Sequence, residues 1–269
     1  MSLSSQPKPS PYVYEIRNTD TDYRDTLHVA SLFSLMQESA YRNAEYLGFG
    51  SSVLDPKGLI WILLGISVRL ESLPAWGDHL TVETWSRGAE RVRFLRDFYF
   101  YRNGDPRAIG AASSEWLVAR ADNHRPQRPD LFNDTQRKID PRQSLGFSCP
   151  KLPALPADLE PTLLKHADFS DIDRNRHVNN TRYIAWTIDA LYAGESADSN
   201  RMIQGLDINY LAEVRFGTRI LVYRTPIECV SIAGMSTVAI VAGAKAMLVE
   251  GRRAEDQQPV FRALIQYLP

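Results

Sequence analysis

Apolar positions along this chain follow two periods, and the periods succeed each other in the same order twice. Tyr12 to Arg17 alternates apolar and polar residues, which predicts a strand, and Asn18 to Asp25 is polar and turn-like. From His28, residues Leu32, Leu35, Met36, Ser39, Ala40, Ala44 and Leu47 keep helical spacing until Gly48 and Gly50 end the run. Strands are then expected at Ile60–Glu71, His79–Arg87, Arg91–Arg102 and Ala108–Asp122. A turn at Pro74-Ala-Trp-Gly-Asp78 and a hairpin at Asn103-Gly104 separate them. The pattern restarts at Leu163–Phe169. Asn179 and Asn180 offer helix caps, and Tyr183, Ile184, Thr187, Ile188 and Leu191 give a helix to about Tyr192. Strands follow at Gly205–Tyr210, Thr218–Ser231, Ser236–Val249 and Pro259–Leu268.

The order predicts an α+β chain in two similar halves, each a long helix wrapped by a curved antiparallel sheet. The halves span 1–140 and 163–269. Pro141, Pro150, Pro153, Pro156 and Pro161 interrupt 141–162, which reads as a linker running over the surface. His28-Val29 aligns with His177-Val178 and Asp22 with Asp171. Trp76-Gly77 aligns with Phe216-Gly217. On that alignment Asp173, Asn175 and His177 of the second half face Arg24, Thr26 and His28 of the first. Only the second half then keeps a working polar set.

That polar set is the candidate chemistry. Asp173, Asn175 and His177 alternate, so in an extended segment they share one side. They lead into a predicted helix N-terminus, where backbone N–H groups and the macrodipole favour developing negative charge. Loop and helix capping accounts for Asp173, Asn175, Asn179 and Asn180 equally well. The chain has no Gly-x-Ser-x-Gly elbow and no phosphate-binding loop, and its five histidines lack metal-site spacing, so neither metal nor cofactor is expected.

Bulk properties narrow the partners. The 269 residues are 44% hydrophobic and 23% charged, with net charge -1, so no global field favours nucleic acid or a membrane. The longest strongly apolar run, Leu59–Leu64, is far too short to span a bilayer. Cys149 and Cys229 read as reduced thiols, which fits a cytoplasmic protein. Arginines crowd 87–128 (Arg87, Arg91, Arg93, Arg96, Arg102, Arg107, Arg120, Arg125, Arg128), and Arg174, Arg176 and Arg182 lie beside the polar set. They form either a solvated face or a surface for an acidic partner.

Asp171-Ile-Asp-Arg-Asn-Arg-His-Val-Asn-Asn180 resembles the signature of acyl-acyl-carrier-protein thioesterases of plant plastids and bacteria. Pro74–Asp78, Val82–Trp85, Ala112–Trp116, Asn209-Tyr210 and Glu213 follow in the matching order. The resemblance implies a tandem hotdog fold and hydrolysis of fatty acyl thioesters on acyl carrier protein in fatty acid biosynthesis. It places the acyl pocket in the first half and the catalytic set on Asp173, Asn175, His177 and Glu213. Plant members carry Cys after the matching Glu, and here Val214 stands there, so no Cys nucleophile is available at that position. Glu213 either attacks directly or activates water. The short start does not resemble a transit peptide, so a bacterial, cytosolic member is expected, with assembly into a homo-oligomer left open. A hotdog acyl-CoA thioesterase, a hotdog enoyl-thioester hydratase and a non-catalytic acyl-binding protein are the rival readings.

Overall fold

The computed structural model describes residues 10–128, 139–196, 199–227 and 242–269. It divides into two compact units, Met1–Leu64 with Glu71–Ser148, and Gly65–Leu70 with Cys149–Pro269.

In the first unit, β1 (Tyr12–Glu15) precedes the helix α1 (Val29–Leu47) and the single turn α2 (Ser51–Leu54). Then come β2 (Leu59–Leu70), β3 (His79–Glu90), β4 (Arg93–Arg102) and β5 (Ala108–Arg120). The antiparallel order is β1-β3-β4-β5, with Tyr12 opposite Val82 and Phe98 between Thr84 and Ala112. α1 lies against β3. It buries Val29, Leu32, Phe33, Met36, Ala40, Ala44 and Leu47, together with Ser39 and Asn43, and stops at Gly48, whose φ of 83° only glycine adopts easily. The apolar spacing marks most of this stripe, but it includes the half-buried Leu35 and omits Val29, Phe33 and Asn43. The hairpin between β4 and β5 turns at Asn103 and Gly104, both at positive φ as a two-residue turn of this hand requires.

The second unit runs β6 (Leu163–His166), α3 (Asn180–Tyr192), β7 (Met202–Tyr210), β8 (Arg219–Ile227), β9 (Lys245–Arg253) and β10 (Pro259–Leu268). Its strand order is β2-β7-β10-β9-β8-β6, and Gly65–Arg69 of β2 pair with β7. α3 lies against β8 and β9 and buries Tyr183, Ile184, Trp186, Thr187, Ala190 and Leu191. No glycine ends it. Arg224 donates to the Ala190, Leu191 and Ala193 carbonyls and Arg201 to that of Leu191, so two cations satisfy the helix C-terminus. The expected strand ends at 228–231 and 236–241 lie outside the described residues, as does Cys229.

The proline-rich interval is more than a surface linker. Leu152 and Leu155 are buried with Tyr223, Ala246, Leu248 and Leu264. Prolines cannot offer ladder N–H groups, so side chains of the sheet hold this segment. Asn209 accepts from the Leu152 amide and donates to the Pro150 carbonyl. Arg252 donates to the carbonyls of Leu155 and Pro156. Glu250 binds both Arg252 and Arg262 at 2.5 Å and is itself 2% exposed. Each leucine contributes roughly 1.5–3 kcal/mol by leaving water. The composition shift located the interval, but proline content alone does not reveal what covers it.

Candidate active site

A turn, rather than an extended strand, carries the polar set. The Asp173 amide donates to the His177 carbonyl (2.9 Å) and the Arg176 amide to the Asp173 carbonyl (3.0 Å). An isolated bridge between Ile172 and Val178 closes it. Arg176 sits at φ 64° to make the reversal. Alternation therefore does not align Asp173, Asn175 and His177, because their backbone reverses between them. Asp173 organises the turn: its Oδ1 accepts from the Asn175 amide at 2.8 Å. Asn175 lies exposed on the outer part of the turn.

The turn delivers the chain to α3 with its cap made. The Asn179 side chain accepts from the Thr181 amide (2.9 Å), and the Asn179 carbonyl accepts from Arg182 (2.9 Å). Two first-turn amides are thus already bonded. The helix mouth offers its dipole more than a set of open donors. Arg182 pairs with Asp171 at 2.6 Å, where Asp171 is 5% exposed.

Glu213 meets His177 across this turn. The Leu211 and Ala212 amides both donate to the Val260 carbonyl, which ends β7 and turns the chain toward α3. The Val178 amide then donates to the Val214 carbonyl at 2.8 Å. That bond joins the residue after His177 to the residue after Glu213, so the two side chains share one register. His177 Nε2 lies 3.2 Å from Glu213 Oε2. An ionised carboxylate only accepts, so Nε2 is the protonated nitrogen in this contact. His177 thereby holds the carboxylate, whose side chain stays 35% exposed and open to a reactant.

Tyr183 belongs to the same place, and the periodicity reads it only as core. Burial pushes its phenol well above the ordinary tyrosine range. The nearby Glu213 and Asp173 charges push it further, against a hydrogen bond from the Val214 backbone. Its ring packs edge-on against Trp186, Tyr210 and Phe261. A tyrosine in the first turn of a helix, three residues past a candidate cap, was the available signal. Of the four expected residues, His177 and Glu213 touch, Asp173 builds the turn beside them, and Asn175 sits on its exposed edge. Among the described residues no group of three or more His, Cys, Asp and Glu could hold a metal ion.

The first unit contains the same turn. The Asp22 amide donates to the Thr26 carbonyl (2.8 Å), the Asp25 amide to Asp22 (3.0 Å), and Asp22 Oδ1 accepts from the Arg24 amide (2.9 Å). Asp25 takes the positive φ, 57°. His28 is the helix N-cap residue, as Asn179 is in the second unit. Asp22 is therefore equivalent to Asp173, Arg24 to Asn175 and Thr26 to His177. This corrects the sequence alignment by two residues. The Leu27 amide donates to the Pro74 carbonyl (2.9 Å) as Val178 does to Val214, which makes Leu73 the counterpart of Glu213.

Comparison with known proteins decides the family. The acyl-ACP thioesterase N-terminal domain model matches residues 11–132, and the acyl-ACP thioesterase C-terminal domain model matches 162–250. The chain belongs to the acyl-ACP thioesterase family. Oleoyl-acyl carrier protein thioesterase 1 of Arabidopsis thaliana is 27% identical over 216 residues, 74% of this chain and 59% of the relative. Palmitoyl-acyl carrier protein thioesterase of Gossypium hirsutum is 26% identical over 195 residues, 66% of this chain and 46% of the relative. The chain thus spans about half to three-fifths of the length of these plant proteins. Among solved structures, the 12:0-ACP thioesterase from Umbellularia californica superposes with a TM-score of 0.77 at 17% identity, covering 97% of each chain. An acyl-ACP thioesterase from Bacteroides thetaiotaomicron gives 0.70 at 21% identity, covering 96% of this chain and 97% of that one. The fold is the tandem hotdog of this acyl-ACP thioesterase family.

Proposed function

We propose that this acyl-ACP thioesterase family member hydrolyses fatty acyl thioesters on acyl carrier protein and releases free fatty acids for fatty acid biosynthesis. The observation that carries the reading is the 3.2 Å contact between His177 and Glu213 in a chain of this family. Glu213, held by the His177 Nε2–H, takes a proton from water while the water oxygen bonds the thioester carbon. The carbonyl oxygen becomes an oxyanion near the α3 dipole. Collapse breaks the carbon–sulfur bond, and the thiolate leaves with a proton. Direct attack by Glu213 reaches the same products through an anhydride that water then cleaves. Asp173 holds the turn that presents His177, and Asn175 at its open edge orients water or the carbonyl.

The half spanning 1–140 would hold the acyl chain and the half spanning 163–269 the catalytic residues, in a cytoplasmic enzyme. An acidic carrier would dock through arginines near the site. Arg174 and Arg176 are exposed on the turn that carries the candidate site. Reversing Arg174 and Arg176 to Glu should raise KM for acyl carrier protein substrates and spare short acyl-CoA; equal effects on both remove the docking idea. The deciding experiment offers purified protein both carrier-protein and CoA thioesters of graded length and measures released acid. No release from any of them rejects the enzyme reading, and release from CoA alone moves the substrate class.

A further inference from the structure

The first unit buries a cation that no acid of the described residues compensates. Arg96 on β4 is 6% exposed. Its Nη1 donates to Asn43 Oδ1 of α1 (2.7 Å) and Thr84 Oγ1 of β3 (3.1 Å), so the guanidinium lies between the helix and the sheet. Asp97 points to the opposite face, where it meets Arg87 and the Ser144 amide. Tyr12, which takes a hydrogen bond from Asn43, keeps its proton because burial raises its pKa. Burial lowers Arg96 only to about 10, so it stays charged at neutral pH among neutral oxygens.

Such a charge strains the fold. Even for a paired buried ion, replacement by well-packed apolar side chains of similar volume is often neutral or stabilising. The surroundings do not need a cation either. Strand register sets buried Ser86 and Ser114 beside Arg96, making a short polar belt. Along the same face lie buried Phe98 and Phe100 in one direction. In the other, Phe94 and Trp116 stand with Trp61, their rings edge-on. A guanidinium flanked by apolar stretches matches an aliphatic chain that carries an anionic group.

We propose that Arg96 binds the carboxylate of an aliphatic ligand inside the first unit. The carboxylate is either the far end of an ω-carboxyacyl substrate or the head group of a released fatty acid. The aliphatic part of this inference rests on the acyl-thioester reading above; the anionic part rests on Arg96.

The test compares the full chain with Arg96→Met and Arg96→Lys. Calorimetry with decanoate and decanol reads the charge directly. Wild type should prefer decanoate by about tenfold or more. Arg96→Met should lose that preference, and Arg96→Lys should keep part of it. Kinetics then separates the two sources. If the substrate end is bound, kcat/KM for an ω-carboxyacyl over a methyl-ended thioester falls about tenfold in Arg96→Met. If the product is bound, decanoate affinity falls and that ratio holds. Equal binding of decanoate and decanol by wild type overturns the proposal, as does an Arg96→Met protein that retains the preference. If the Met variant does not fold, the wild-type comparison and Arg96→Lys still decide. A chain that hydrolyses no thioester yet prefers decanoate through Arg96 refutes the thioesterase reading and leaves the anion site standing.

Discussion

Asp22 and Asp173 do the same work in the two units, yet only one of them stands beside reactive groups. Each carboxylate takes the amide two residues ahead, each turn reverses at a positive φ, and each leads into a long helix. The side chains around that shared backbone differ. Where the second unit has His177 and Glu213, the first has Thr26 and Leu73, neither of which moves a proton at neutral pH. The Arg24 side chain also grips Asp22 at 2.5 Å, where the second turn carries the short, uncharged Asn175. The comparison separates scaffold from chemistry: what both turns keep builds the loop, and what only one keeps is left to react.

Removing the group unique to the second turn should have the largest effect. Glu213→Ala should lower kcat about a thousandfold, with far-UV dichroism unchanged. A steady-state kcat near wild type would remove Glu213 from the chemistry. His177→Thr copies the first turn into the second, so the backbone should accept it while kcat drops about a hundredfold. Loss of the fold instead would mean that His177 is itself a scaffold residue.

The shared aspartates give a finer test. Asp22→Ala and Asp173→Ala each remove a turn acceptor, and each should cost about 1 kcal/mol in urea unfolding. Only Asp173→Ala should also lower kcat, and a matching loss in Asp22→Ala would dissolve the distinction. The smallest effect is on pH dependence. Burial pushes the Asp22 carboxyl up, but the Arg24 side chain and the Arg24 and Thr26 amides outweigh it and hold it below the usual carboxylate range. A depressed folded pKa means that the unfolded chain binds the proton more readily. The contribution is present above the unfolded value of about 4 and fades as pH falls through the folded one. Asp22→Asn should therefore flatten the acid limb of a stability titration, and an unchanged limb would show that Arg24 contributes nothing there.

Periodicity located both helices and the described strands, because burial of one face imposes its period on the side chains. It placed many strand ends two or more residues off: the expected Leu163–Phe169 strand stops at His166, and among the described residues the expected Ser236–Val249 strand is found at Lys245–Arg253. The signature from Asp171 to Asn180 located the site. Sequence identity then misled the internal alignment. His28 and His177 share a letter, but one is a helix N-cap residue and the other a turn residue, two places earlier in its unit. Backbone hydrogen bonds set that equivalence, and no side-chain pattern records them. Asn43 and Arg96 escaped for a related reason. A polar residue inside an apolar stripe looks like noise until its partner, far away in sequence, is seen against it.

The second unit draws on two stretches of chain, Gly65–Leu70 and everything from Cys149 onward. The two hotdog halves are therefore no longer interchangeable cassettes. A gene cut at 162, where the second family domain begins, would strand Leu152 and Leu155 on the wrong fragment and leave Glu250, Arg252 and Arg262 without the segment they hold. A cut at 148 would still leave the second fragment without β2, which pairs with β7 on the side away from β10. Any fragment meant to keep the second unit together has to carry both Gly65–Leu70 and the chain from Cys149 onward.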